Sequence, residues 1–289
     1  MRAPVGTKPQ TNRDRLVRTR LKAQIQPAAA NRVVGPDGVL RTLPGQGGVV
    51  TGIGLGSRAG EWRGDHVEPG ISLGHPEPAV NHAIRQFSCV GNLVTLLDGP
   101  AAGAKGIVYG KHGAVLAMFE PGEVSRMAPG EWAAIEAEGV GLRCGQMPDL
   151  SLHSCSPELF ERLGTITSDN RLRVGVAAIL PSIAAAAGIG MPAAMFNMDL
   201  HSSSAPVAEL TEGLGFGDIV AVLDQDHRHA RRYRRGWSMV GVISHGRTTG
   251  GGHGFGLMTL LTAPSDQFMF EKTDTANLSN FIELPWVSA

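Results

Sequence analysis

Apolar residues recur along this chain in short runs broken by glycine and proline, and the spacing within each run sets the element it predicts. Over residues 78–89, Ala79, Val80, Ala83, Ile84 and Phe87 fall at helical intervals and leave Asn81, His82, Arg85 and Gln86 on the opposite side. A second short helix is expected from Ser156 to Gly164, with serine at the N-cap, Pro157 in the first turn and glycine past the end. Most of the remainder reads as strand. Residues 103–119 hold two apolar runs around Gly110-Lys111-His112-Gly113, a hairpin with Lys111 and His112 exposed at its tip. Further strands are expected within 48–55, near 131–143, in the small-residue apolar stretch 171–190, and over 237–245 and 257–261. The arginine-rich stretch from Arg13, with Leu16, Val17, Leu21 and Ile25, predicts a solvated edge strand whose charges block pairing. Residues 1–12 are expected to form a loose basic arm.

The sum is an α+β, β-rich protein of several small twisted sheets or barrel-like units with a few short helices, one integrated domain over residues 1–289. Thirty-nine glycines and an aromatic share of 5% fit that reading, because tight turns need glycine and short strands leave room for it. The formal net charge is zero, which argues against a nucleic-acid partner. The three cysteines show no CxxC pair and read as reduced thiols. Neither a signal peptide nor an apolar run long enough to span a bilayer is visible, so a cytoplasmic protein without a membrane partner is expected.

Candidate chemistry collects where strands end. Asp218 to Tyr233 runs from an apolar strand into Asp224, Asp226, His227, His229 and a series of arginines. Asn197, Asp199 and His201 share one face of a short strand, which aims a carboxylate and an imidazole the same way. The loop from Gly64 to His75 packs Asp65, His66, Glu68 and His75 together, and His253 sits in the glycine-rich loop 250–256. Imidazoles and carboxylates in such groups are the ligands of zinc, manganese or iron. A divalent metal held by Asp199, His201, Asp224, Asp226 and His227 is therefore expected, with Asp65, His66, His201, His227 and His253 as acid/base groups. Arg228, Arg232, Lys111 and His112 are the expected anchors of an anionic substrate. No nucleotide cofactor is expected, since Gly52-Ile-Gly54-Leu-Gly56 lacks the full dinucleotide spacing and a βαβ frame. Cys89, near a helix C-terminus, reads as a buried structural thiol.

Several stretches together resemble domain-of-unknown-function family 4438. They are Asn12-Arg-Asp-Arg-Leu-Val17, Leu43-Pro-Gly-Gln-Gly-Gly48, Gly64-Asp-His-Val-Glu-Pro-Gly70, Ser88-Cys-Val-Gly-Asn92, Gly103-Ala-Lys-Gly106 and Gly110-Lys-His-Gly113, followed by Gly217-Asp-Ile-Val-Ala221, Tyr233-Arg-Arg-Gly236 and Gly252-His-Gly254. The resemblance runs nearly end to end and implies a fold and a site location, but no activity. From the residues themselves, the expected function is an enzyme acting on a small polar or anionic metabolite by metal-assisted hydrolysis of a C–N bond, such as a cyclic amide. The alternatives are an isomerase, lyase or cyclase using an Asp–His pair, and a ligand-binding or assembly protein. A homo-oligomer is expected.

Overall fold

The structure, a computed structural model, describes residues 6–30, 32–35, 37–201, 205–248 and 250–286. Its first sheet runs Thr19–Ile25, Trp132–Ala137, Leu93–Leu96, Lys105–His112, Ala114–Met118, Gly70–Gly74 and Val49–Val50, with every pairing antiparallel. Thr19–Ile25 also pairs with Gly70–Gly74 through Gln24↔Gly74 and Ile25↔Leu73. That contact closes six of the strands into a barrel, filled by Ile25, Ile71, Leu73, Val94, Val108, Val115, Ala117 and Ile135. The helix Pro78–Phe87 seats its buried Ile84 in the same cluster.

The arginine-rich first strand is thus not an edge. Closure gives it partners on both sides, and its charges project outward from the barrel: Arg20 pairs with Glu136 at 2.6 Å. Ahead of it, Thr7 and Thr11 form bridges with Ile166 and Cys144, while residues 1–5 lie outside the described residues.

The second sheet orders Ser151–Leu152, Phe255–Pro264, Arg232–His245, Ile219–Asp226 and Ala178–Leu180, with Met198–Leu200 also paired to Phe255–Pro264. One face, with Ile219, Ala221, Val240, Val242, Met258 and Leu260, packs against the barrel's outward-facing Ile107, Tyr109, Leu116 and Met118. The other face, with Val220, Val222, Met239, Ile243 and Leu257, shares a cluster with Ile53, Val67, Val207 and Phe216 from outside the sheet. Both faces are covered, so the long strands carry nearly unbroken apolar runs instead of alternation. A third sheet joins Gly164–Ile166, Leu172–Val176 and Phe268–Lys272, and a small ribbon pairs Val33–Val34 with Leu40–Arg41. The helix Pro157–Leu163 is capped as its sequence predicts: the Ser156 hydroxyl accepts from the Leu159 N–H at 3.2 Å. No described helix is long and apolar enough to cross a membrane.

One close approach joins the barrel to the second sheet. A Cβ on Gly110 would stand 2.3 Å from that of Ser244, so only glycine lets Lys105–His112 lie against Arg232–His245 there. The two strands end side by side, at His112 and His245.

Candidate metal centre

Four histidines converge at that junction. His112 ends its barrel strand and His245 ends a strand of the second sheet. His66 comes from the loop between Val49–Val50 and Gly70–Gly74, and His253 from the turn ahead of Phe255–Pro264. The rings pack on one another, with His66 stacked on His112 at 4.9 Å between centroids and His112 tilted against His245 at 4.4 Å. One nitrogen from each of His66, His112 and His245 lies within 4.8 Å of the others, and so do one nitrogen each of His66 and His253 and a carboxylate oxygen of Asp199. Asp199 links the two groups, standing 3.3 Å from His245 Nε2, 3.8 Å from His66 Nε2 and 2.6 Å from His253 Nδ1.

Behind these groups lies a shell that fixes which nitrogen faces inward. His112 Nδ1 meets Glu68 Oε1 at 2.6 Å, and Glu68 is held in turn by the Gly47 N–H at 2.8 Å and the Ser72 hydroxyl at 2.7 Å. His245 Nδ1 donates to the Gly246 carbonyl at 2.9 Å. In both rings Nε2 is left with its lone pair toward the cluster, the arrangement that orients metal-binding imidazoles. The Asn197 amide donates to His245 Nε2 at 2.7 Å and to Asp199 Oδ1 at 3.1 Å, so an ion held by His245 takes over a lone pair that Asn197 meets here. Both nitrogens of His66 are buried without a hydrogen-bond partner; Asp65 is 3.2 Å from Nδ1 but out of line. Asp65 itself accepts from the Thr248 hydroxyl.

His66 has φ +47°, a left-handed conformation that a histidine adopts at a cost of about 1–3 kcal/mol. Gly256 makes room for the neighbouring ring, since a Cβ there would stand 2.1 Å from His245 Cδ2.

Charge in the cluster is arranged by burial and by the carboxylates. Burial opposes a proton on His66, yet the flanking Asp199 and Asp65 outweigh it and push its pKa up to about 9. Burial would raise Asp199, but His245, His253 and His66 hold it far below the usual carboxylate range. His245 is pushed down by burial and by His112 against the pull of Asp199. A bound cation would take over the role of these protons, because it satisfies the same carboxylates and needs neutral imidazoles.

The structure thus brings together Asp65, His66, His112, Asp199 and His253, drawn from four separate stretches of sequence. His245, Glu68 and Asn197 join them without having been assigned a role from sequence, although each stands at a strand end, in the Gly64–Gly70 loop or on the Asp199 face. The other expected residues lie elsewhere. His201 follows the strand Met198–Leu200 and is not among the converging groups. Asp224, at φ +54° in a bulge, accepts from the Gly236 N–H at 2.8 Å. Asp226 is clamped by Arg228, Arg232 and Arg234 at 2.9, 2.8 and 3.1 Å, so Arg228 and Arg232 are bound to their own chain. His227 is buried between Thr259 and Gln225, and burial together with Arg231 pushes its pKa down to about 3. Lys111, expected at an exposed hairpin tip, is instead wholly buried, because the strand continues through His112 and turns at Gly113. Burial pushes its pKa down to about 8. Cys89 is a buried thiol raised to about 11 by desolvation.

Comparison with known proteins places this fold. Residues 32–161 match the family described as Domain of unknown function (DUF4438), N-terminal, and residues 162–282 match its C-terminal counterpart. The chain belongs to this family. It is also similar to the crystal structure of TM1086, at 32% identity and a TM-score of 0.89, over 95% of this chain and 99% of that one. A search of curated proteins returns no match. The histidine cluster draws on both matched regions, with His66 and His112 from the first and Asp199, His245 and His253 from the second.

Proposed function

For this family member, we propose a metal-dependent hydrolase that cleaves a carbonyl-centred C–N bond, such as that of a cyclic amide, in a small polar or anionic metabolite. His66, His112 and His245 would hold a divalent zinc, manganese or iron ion, with Asp199 as a further carboxylate donor beside them. The observation that carries this reading is the convergence of three imidazoles, two of them oriented by partners behind the ring and the third buried with neither nitrogen satisfied. A buried polar atom without a partner costs about 1–3 kcal/mol, and a cation would remove that cost at one nitrogen of His66.

An ion held there would supply Lewis-acid chemistry, activating water and polarising a substrate carbonyl. His253 is the proton carrier: its side chain is 43% exposed, within reach of a substrate, while its Nδ1 is tied to Asp199. The test is elemental analysis of protein purified without chelator, with the His245→Ala variant alongside, followed by a turnover screen of cyclic amides. One equivalent of a transition metal in the wild type and none in the variant is the expected result. Absence of metal after reconstitution with all three ions would overturn the reading.

A second reading has its own support in the 2.6 Å contact between His253 and Asp199. That pair by itself can move a proton, as an isomerase, lyase or cyclase requires. Activity that survives full metal removal but is lost in His253→Gln selects it.

A further inference from the structure

Two cations lie buried beside the histidine cluster, and among the described residues neither forms an ion pair with a carboxylate, although Arg231 feels Asp199 at a distance. Lys111 and Arg231 are both wholly inaccessible to solvent. Lys111 Nζ donates to the Ser154 hydroxyl at 2.9 Å and to the Ala194 carbonyl at 2.6 Å. Among the described residues Arg231 reaches only the carbonyls of Gly188 and Ala193, at 3.4 and 3.5 Å, and its Nε has no partner there. A guanidinium carries five N–H donors, so Arg231 is poorly satisfied for a charge taken fully out of water.

The carbonyls that face the two cations belong to one segment, residues 188–194, whose middle residues 189–192 are exposed. It thus joins carbonyls that meet the cations to residues that meet solvent. Next to Ser154, His153 has its Nε2 buried and unpartnered, and burial together with the charges of Arg231 and Lys111 pushes its pKa down to about 4. His153 therefore lies within the field of both cations. The covering segment leads directly into Asn197 and Asp199, and the Asp199 N–H donates to the Ala187 carbonyl at 2.8 Å.

Buried charge is normally paired, and a neutral carbonyl is a weak substitute for an anion. We propose that Lys111 and Arg231, with Ser154, form an anion-binding subsite that takes the carboxylate or phosphate group of a small ligand, whose oxygens replace the carbonyls of residues 188–194. The subsite deepens the reading above by giving the substrate a charge, but it holds its anion through these side chains and not through a metal. It also differs from the surface arginines around Asp226, whose donors already serve a carboxylate.

The test is calorimetric titration of the full chain with sodium phosphate and, separately, sodium malonate, at ionic strength held constant with chloride. Each titration is run on metal-loaded and on chelator-treated protein. Saturable binding of either anion is expected, and which one binds distinguishes a phosphorylated from a carboxylated ligand. Lys111→Met and Arg231→Met should each weaken it by about tenfold or more, the loss of one charge-assisted hydrogen bond. Arg232→Met should bind as the wild type does. Without anion, Lys111→Met should also melt higher than the wild type, because it removes an unpaired buried charge. A purely structural lysine predicts a lower melting temperature.

Binding of neither anion, or unchanged binding in the two methionine variants, would overturn the proposal. If one variant does not fold, the other carries the same readout. Binding that disappears on metal removal places the anion on the metal and overturns the subsite while leaving the hydrolase reading intact. Binding that persists in metal-free protein supports the subsite whatever becomes of that reading.

Discussion

Asp199 and Asp226 look alike in the sequence, each on an apolar strand with a histidine one or two residues on, and each is buried. Their surroundings differ in one respect that decides their chemistry. Asp226 faces three guanidiniums, two of which also lie over the Trp237 ring, at 3.8 and 4.6 Å. Arginine keeps its proton at any ordinary pH, so this carboxylate is permanently neutralised and its lone pairs are spent. Asp199 faces three imidazoles, each of which can turn a lone pair to a metal. A buried carboxylate among arginines is a clamp; one among histidines is a centre that can exchange protons for a cation.

The largest effect expected from breaking this contrast is at the imidazoles. His66→Ala or His245→Ala should lower metal affinity by more than the ~10–100-fold typical of losing an outer-shell partner, and remove turnover, as measured by competition with a chromogenic chelator. Glu68→Gln should fall within that ~10–100-fold range, because it removes the charge that orients His112 without removing a ligand. An affinity equal to the wild type's would mean that His112 does not bind metal. Gly256→Ala should push the His245 ring aside and lower metal content without unfolding the sheet, checked by metal analysis beside a circular dichroism melt. Asp226→Asn should do the reverse, costing about 1–3 kcal/mol in chemical denaturation while metal content stays at the wild-type level. Loss of metal in that variant would join the two regions functionally and end the comparison.

The smallest expected effect is on pH dependence. His227 and His153 are held neutral, at about 3 and about 4, against an ordinary 6.5. Below pH 6.5 the unfolded chain takes up protons that the folded chain refuses, so stability rises with pH through that window and is lost as pH falls from 6.5 toward 4. His227→Gln should flatten this slope in urea melts at successive pH values. Asp226, with its depressed pKa, contributes in the same direction but lower down, below the ordinary carboxylate pKa near 3.9.

Local pattern was enough for the helices Pro78–Phe87 and Pro157–Leu163, since spacing and capping act within one turn. The hairpin around Gly113 was legible for the same reason, but the burial of Lys111 was not. A strand's two faces are visible in sequence, whereas what covers each face is not. The stretch 13–25 reads as an edge because its charges suit one, and it lies inside a barrel because a pairing with Gly70–Gly74 closes the ring. At the site, the sequence offered aspartates and histidines at strand ends in three places. His245 gave no local signal, because an apolar strand ending in one histidine looks the same whether or not another strand end lies beside it.

The sequence by itself determined a β-rich chain with two short helices, one of them capped by Ser156, and carboxylates and imidazoles concentrated where strands stop. Those properties follow from neighbours within a few residues. Only the tertiary structure decided which of those groups meet. It placed arginines around Asp226 and histidines around Asp199, through strand pairings that span much of the chain and a glycine contact at Gly110. The reason is physical: ligand geometry depends on distances between residues far apart in the chain, and those distances are set by packing.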